Sequence, residues 1–158
     1  MSITTSRGGY IATSVQKAAF IIGIAFVAIG VMGFIPGTTV GITAGEADSG
    51  AHLAGHESDN YLFGLFHVSA LHNVLHLALG LLGLTFAAKP RLAKAYLLAG
   101  GAIYLLLFAF GLLVAGRDIP ANFIPLNWAD NWLHLGLAVV MIALGLILGR
   151  RRSPTAAS

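Results

Sequence analysis

Apolar positions fall into four long runs, and the polar residues are sorted between them. Residues 18–35 carry no polar side chain at all. Residues 71–88 are interrupted only by His72, Asn73, His76 and Thr85. Residues 95–116 contain only Tyr96 and Tyr104 as polar-tipped members, and 132–149 only His134. A helix that crosses about 30 Å of hydrocarbon needs about 20 mostly apolar residues. A helix of a soluble bundle keeps a charged face, and these runs have none. The pattern predicts an all-α, four-span transmembrane helix bundle. With no proline between residues 60 and 88, the second helix is expected to start ahead of its apolar run. Capping by Asp59 or Asn60 would let it project from the bilayer. The predicted spans are 18–35, 61–88, 95–116 and 131–149. They form one domain over 15–152, flanked by tails at 1–14 and 153–158.

Charge then orients the bundle. Arg7, Lys17, Lys89, Arg91, Lys94, Arg150, Arg151 and Arg152 all lie on one side of the spans, and only Arg117 on the other. The six acidic residues, Glu46, Asp48, Glu57, Asp59, Asp118 and Asp130, lie with Arg117. The positive-inside rule places both termini in the cytoplasm. In a bacterial cell that means a multi-pass plasma-membrane protein. The net charge of +3 therefore reflects topology, with anionic lipid at the cytoplasmic face as partner. No nucleic-acid-binding motif is present. The first run is longer than the 7–15-residue core of a signal peptide and lacks a clear cleavage site, so it is expected to be retained. The absence of cysteine excludes disulfides, thiolate catalysis, cysteine-held iron–sulfur clusters and covalently attached haem.

Two segments resemble each other. Leu71-His72-Asn73-Val74-Leu75-His76-Leu77-Ala78-Leu79 aligns with Ala129-Asp130-Asn131-Trp132-Leu133-His134-Leu135-Gly136-Leu137, matching at Asn, Leu, His, Leu and Leu. Both would open helices running in the same direction, so the chain reads as two helical hairpins in parallel repeat about an axis along the membrane normal. His76 and His134 would then lie at similar depth. The many glycines within the runs read as packing positions, because small residues let helix backbones approach closely in lipid.

Ionisable groups inside a span are costly and mark a candidate site. Here they are His67, His72, His76 and His134. His72 and His76, four apart, share a helix face with Asn73 beside it. His67 would face elsewhere. Three readings are open. In the first, neutral His, Asn and Asp side chains hydrogen-bond between helices, and the protein is a structural or accessory membrane component without enzyme activity. In the second, His72 or His76 joins His134 in ligating haem b or a divalent metal. In the third, the histidines line a route for a proton or small solute. Asn73, Asn127, Asp130 and Asn131 serve in each, either as structural polar groups or by orienting a ligating imidazole. Asp130 is expected to cap the fourth helix. Asn127 or Asn131 is expected to tie the preceding loop to the second helix near His72 or Asn73. Trp128 and Trp132 fit an interfacial aromatic belt. The pair His52 and His56, among acids, is a weaker metal candidate in a solvated Gly/Ala-rich loop. No hydrolytic constellation is present. Assembly as a homo-oligomer or within a larger membrane complex is left open.

The stretch Leu62–Leu84 containing His72, Asn73 and His76, with Asn122, Pro125, Asn127, Asp130, Asn131 and His134, resembles the bacterial four-helix membrane family known as domain of unknown function 4383. The resemblance extends over about residues 15–150. It implies a small four-span plasma-membrane protein and brings no established activity, so it assigns no catalytic residue.

Overall fold

The computed structural model of the chain describes residues 10–40 and 60–150. Four helices dominate: α1 Ser14–Met32, α2 Ala70–Phe86, α3 Pro90–Val114 and α4 Trp128–Leu148. α1 starts where Thr13 and Gln16 form a reciprocal box: Thr13 Oγ1 accepts the Gln16 N–H, and Gln16 Oε1 accepts the Thr13 N–H. Pro90 occupies the first turn of α3, where its missing N–H costs nothing. Beyond α1, three short strands, β1 Thr39–Val40, β2 Tyr61–Leu62 and β3 Phe66–His67, pair antiparallel in that order. We call this the hairpin end of the bundle. The opposite end, with the α2–α3 connection, is the turn end.

Three helices, α1, α3 and α4, are long and apolar enough to cross a membrane, and α2 is a shorter apolar helix. Leu106, Leu113, Ile21 and Ile147 stand well exposed on outward faces. An all-α bundle with so apolar an exterior is compatible with a multi-pass membrane protein.

Several expected boundaries move. The helix expected over 61–88 begins only at Ala70. Phe63 and Gly64 have φ of 54° and 68°, which a right-handed helix does not admit, so residues 61–67 turn back as a β-hairpin. Ser69, not Asn60, caps α2, its hydroxyl accepting the His72 N–H at 3.2 Å. Asn60 instead offers its carbonyl to the Val68 N–H, and Asp59 lies outside the described residues. The expected loose tail through residue 14 is bound from Tyr10 onward. Tyr10 donates its hydroxyl to the Leu84 carbonyl at 2.5 Å. The Gln16 amide donates to the carbonyls of Tyr10, Ala87 and Ala88 at 3.0, 2.9 and 3.1 Å, clamping the start of α1 to the end of α2. α3 begins at Pro90 rather than residue 95, carrying Arg91 and Lys94 into its first turns.

α1 packs on α2 and α3 on α4, and the two hairpins meet chiefly through α1 against α3. The hairpins repeat one set of contacts. A Cβ on Gly23 would meet Leu84 N at 2.8 Å and Gly80 O at 2.9 Å; one on Gly101 would meet Ile142 N and Ala138 O, both at 3.1 Å. A Cβ on Gly33 would collide with the Asn73 side chain, and one on Gly111 with the Asn131 side chain. On the outgoing helices each equivalent pair is 78 residues apart, and on the returning helices 58. The difference falls in the connection inside the first hairpin. The expected parallel repeat is therefore present in three dimensions.

Candidate functional site

The repeat places one histidine of each hairpin against one aromatic ring. His76 on α2 meets Phe26 on α1 edge-to-face at 5.6 Å, and His134 on α4 meets Tyr104 on α3 at 5.2 Å. Phe26 and Tyr104 then stack on each other at 5.5 Å and 29°. The result is a continuous row of rings, His76–Phe26–Tyr104–His134, through the interface of the two hairpins. All four residues are buried. Aromatic pairs of this kind contribute about 0.5–1.5 kcal/mol beyond their buried area.

Equivalent positions also cap the returning helices. Ser69 and Asn127 are both N-caps, accepting from the N–H groups of His72 and Asp130 respectively. Here the two halves diverge, because His72 and Asp130 occupy the same place in the repeat. Asp130 completes a capping box with Asn127, taking the Asn127 N–H on Oδ2 at 3.1 Å. The same oxygen accepts the backbone N–H of His67 at 2.9 Å, and Asn127 Nδ2 donates to the Leu65 carbonyl at 2.7 Å. So Asn127 is the cap of α4 and Asp130 its partner, reversing the expected role of Asp130. The tie from this loop goes to the β-hairpin ahead of α2, not to His72 or Asn73. The hairpin supplies the backbone donor and acceptor that lie nearest.

His72 does something else with the equivalent position. Its ring stacks on His76 at 4.6 Å and 11°. His76 Nδ1 lies 3.1 Å from the His72 carbonyl, which fixes a proton on Nδ1 of His76. His72, His76 and His134 are close enough to interact electrostatically. Among the described residues four buried groups find no hydrogen-bond partner: His72 Nδ1, His134 Nδ1, the Tyr96 hydroxyl and both polar atoms of Asn131, whose side chain lies over Gly111.

The predicted residues thus divide. His72, Asn73, His76, Asn131 and His134 gather in the buried half of the bundle nearer the hairpin end. Asn127 and Asp130 form a latch above them. His67 lies on β3, stacked on Tyr61 at 4.9 Å. It is carried by the hairpin and not by α2, yet it is not remote from the cluster: it lies close enough to His72 to interact electrostatically, and its backbone N–H is held by Asp130. Asn122 braces the loop before α4, donating to the carbonyls of Arg117 and Leu126 and accepting the Leu126 N–H. His52 and His56 lie outside the described residues. Among the described residues no three His, Cys, Asp or Glu side chains gather as a metal-binding set. A porphyrin placed between His76 and His134 would have to take the place of the Phe26 and Tyr104 rings. Gln16, Ser69 and Phe26 carry no mark in the sequence, and Tyr104 only that of a polar-tipped residue in an apolar run. The 78-residue correspondence of Gly23, Phe26 and Gly33 with Gly101, Tyr104 and Gly111 is the signal that would have found the ring pair.

Fold and site together define a class: a two-hairpin helical bundle of apolar helices with a buried His/Asn cluster at the hairpin contact. A family model described as domain of unknown function (DUF4383) matches residues 16–147, and the chain belongs to that family. No curated protein and no solved structure matches it.

Proposed function

We propose that the chain is a four-span plasma-membrane protein with both termini cytoplasmic, serving as a structural or accessory component. Its His/Asn/Asp cluster fastens two hairpins into one rigid unit. The row His76–Phe26–Tyr104–His134 carries this reading, because the histidines are spent on the contact that joins the hairpins. The orientation is supported by Lys17, Lys89, Arg91, Lys94 and Arg150 at the turn end, against Arg117 alone among the described cations at the other. Those cations would engage anionic lipid at the cytoplasmic face.

The test pairs stability with spectroscopy. His76→Leu and His134→Leu should each lower the unfolding temperature in detergent. The protein purified from haem- and metal-replete cells should lack a Soret band and stoichiometric metal. A Soret band or bound metal lost in His134→Leu would replace the structural reading with a redox one.

A second reading has its own observation. His72 Nδ1, His134 Nδ1 and the Asn131 amide are buried without partners among the described residues, at about 1–3 kcal/mol each if left unsatisfied. A small polar guest or a proton would satisfy them. Toward the turn end the core becomes Ala19, Leu97, Ala138 and Met141, with the buried Tyr96 hydroxyl as its polar tip. Solute or proton flux in proteoliposomes that disappears in His72→Leu would establish a permease instead.

A further inference from the structure

The tip of the β2–β3 hairpin is built against ordinary turn chemistry. A tight turn that needs positive φ normally takes Asn, Asp or Gly. Here Phe63 holds φ 54°, followed by Gly64 at 68°. A bulky residue in this region is an outlier, and such strain persists where the surroundings use it. Its effect is to sort the hairpin's side chains. Leu62 and Val68 are buried at 2% and 3% exposure, whereas Phe63 and Leu65 are 59% and 53% exposed. The hairpin has one face on the bundle and an apolar tip turned away from it.

The position of that tip is fixed. Asn127 Nδ2 holds the Leu65 carbonyl and Asp130 Oδ2 holds the His67 N–H, so the hairpin is level with the first turn of α4. Trp128 and Trp132 stand exposed on that same stretch of helix, with Phe123 exposed just before it. Trp at the end of an apolar helix seeks the boundary between hydrocarbon and headgroups. Phe63 and Leu65 continue this aromatic band sideways from α4.

We infer that the Phe63–Leu65 tip inserts into the outer-leaflet interface, with phospholipid at the headgroup–acyl boundary as its partner. This rests on the membrane-spanning reading above. Burial of the Phe63 ring in that apolar layer offsets the strain of its backbone. The hairpin then acts as a lateral float, held to α4 by Asn127 and Asp130.

Phe63→Trp in a Trp128→Phe/Trp132→Phe background, reconstituted in phosphatidylcholine nanodiscs, makes the introduced indole the sole reporter. Its emission should be blue-shifted, lose most of its intensity with lipid brominated near the headgroup, and resist aqueous acrylamide. Should the Trp replacements impair folding, Phe63→Cys in the otherwise cysteine-free native chain takes a spin label. That label should relax more with oxygen than with a water-soluble nickel chelate. Acrylamide quenching without bromolipid quenching, or a label more accessible to nickel, overturns the proposal in favour of a water-exposed tip. A label shielded from both reagents also overturns it, in favour of a protein contact. Alkaline carbonate extraction separates the two levels. A chain that leaves the membrane fraction refutes the membrane reading itself, whereas a retained chain with a wet tip refutes only the insertion.

Discussion

Gly111→Ala probes the packing of the buried Asn layer most directly. The added methyl would stand 2.5 Å from Asn131 Cγ and nearer still to Oδ1, where carbon contacts need about 3.5–4.0 Å. Relief requires α3 and α4 to part by about 1 Å, or Asn131 to leave its rotamer. Overpacking of this kind costs about 1–3 kcal/mol. Asn131→Ala alone should cost less than about 1 kcal/mol, because the amide it removes bonds nothing among the described residues, and loss of an unsatisfied group offsets the small void. Combined, the two changes should recover most of the stability lost in Gly111→Ala, a coupling of about 1–3 kcal/mol. Thermal unfolding of all four proteins in one detergent, followed by circular dichroism, gives the cycle. The repeat demands the same coupling for Gly33→Ala with Asn73→Ala, because the Asn73 side chain stands over Gly33 in the same way. Additive effects at either site would refute the reasoning, since they would mean that the glycine and the asparagine do not share space.

Gln16→Leu removes the donor that serves the Tyr10, Ala87 and Ala88 carbonyls. It should destabilise by about 1–3 kcal/mol in the same unfolding assay. Asp130→Ala strips the acceptor from the N–H groups of His67 and Asn127. A loss of about 1–3 kcal/mol should be accompanied by faster deuterium exchange at the His67 amide, with α2 itself unchanged. For topology, Ala121→Cys should react with an impermeant thiol reagent from outside intact cells, and Lys89→Cys only after the membrane is opened. The reverse labelling would invert the proposed orientation.

The helices were legible because apolar periodicity and length speak directly to burial from water. The boundaries were less so. Nothing apolar distinguishes residues 61–69 from a helical extension, and only the backbone conformation of Phe63 and Gly64 turns them into a hairpin. The His/Asn cluster was legible through cost: His72, Asn73, His76, Asn131 and His134 are conspicuous among leucines. Its framework was not. Phe26 looks like one more apolar position and Tyr104 stands out only by its hydroxyl, and their stacking depends on how α1 crosses α3, which no local pattern encodes. Asp130 reads as a helix-start residue, but its place in the cap depends on Asn127. Both residue types cap well, so spacing alone did not choose between them. Gln16 was hidden because a glutamine at a helix start reads as solvated until the end of α2 arrives beside it.

The twofold correspondence of the hairpins bears on how the chain is strung. Gln16 touches the end of α2, and the end of α4 lies beside Lys94 at the start of α3. All four of these helix ends meet at one pole of the bundle. The start of α1, the α2–α3 connection and the end of α4 therefore share that pole, while Phe26 and Tyr104 face each other away from it. The order in which the hairpins leave the ribosome is a matter of connection, and the contact between them is indifferent to it.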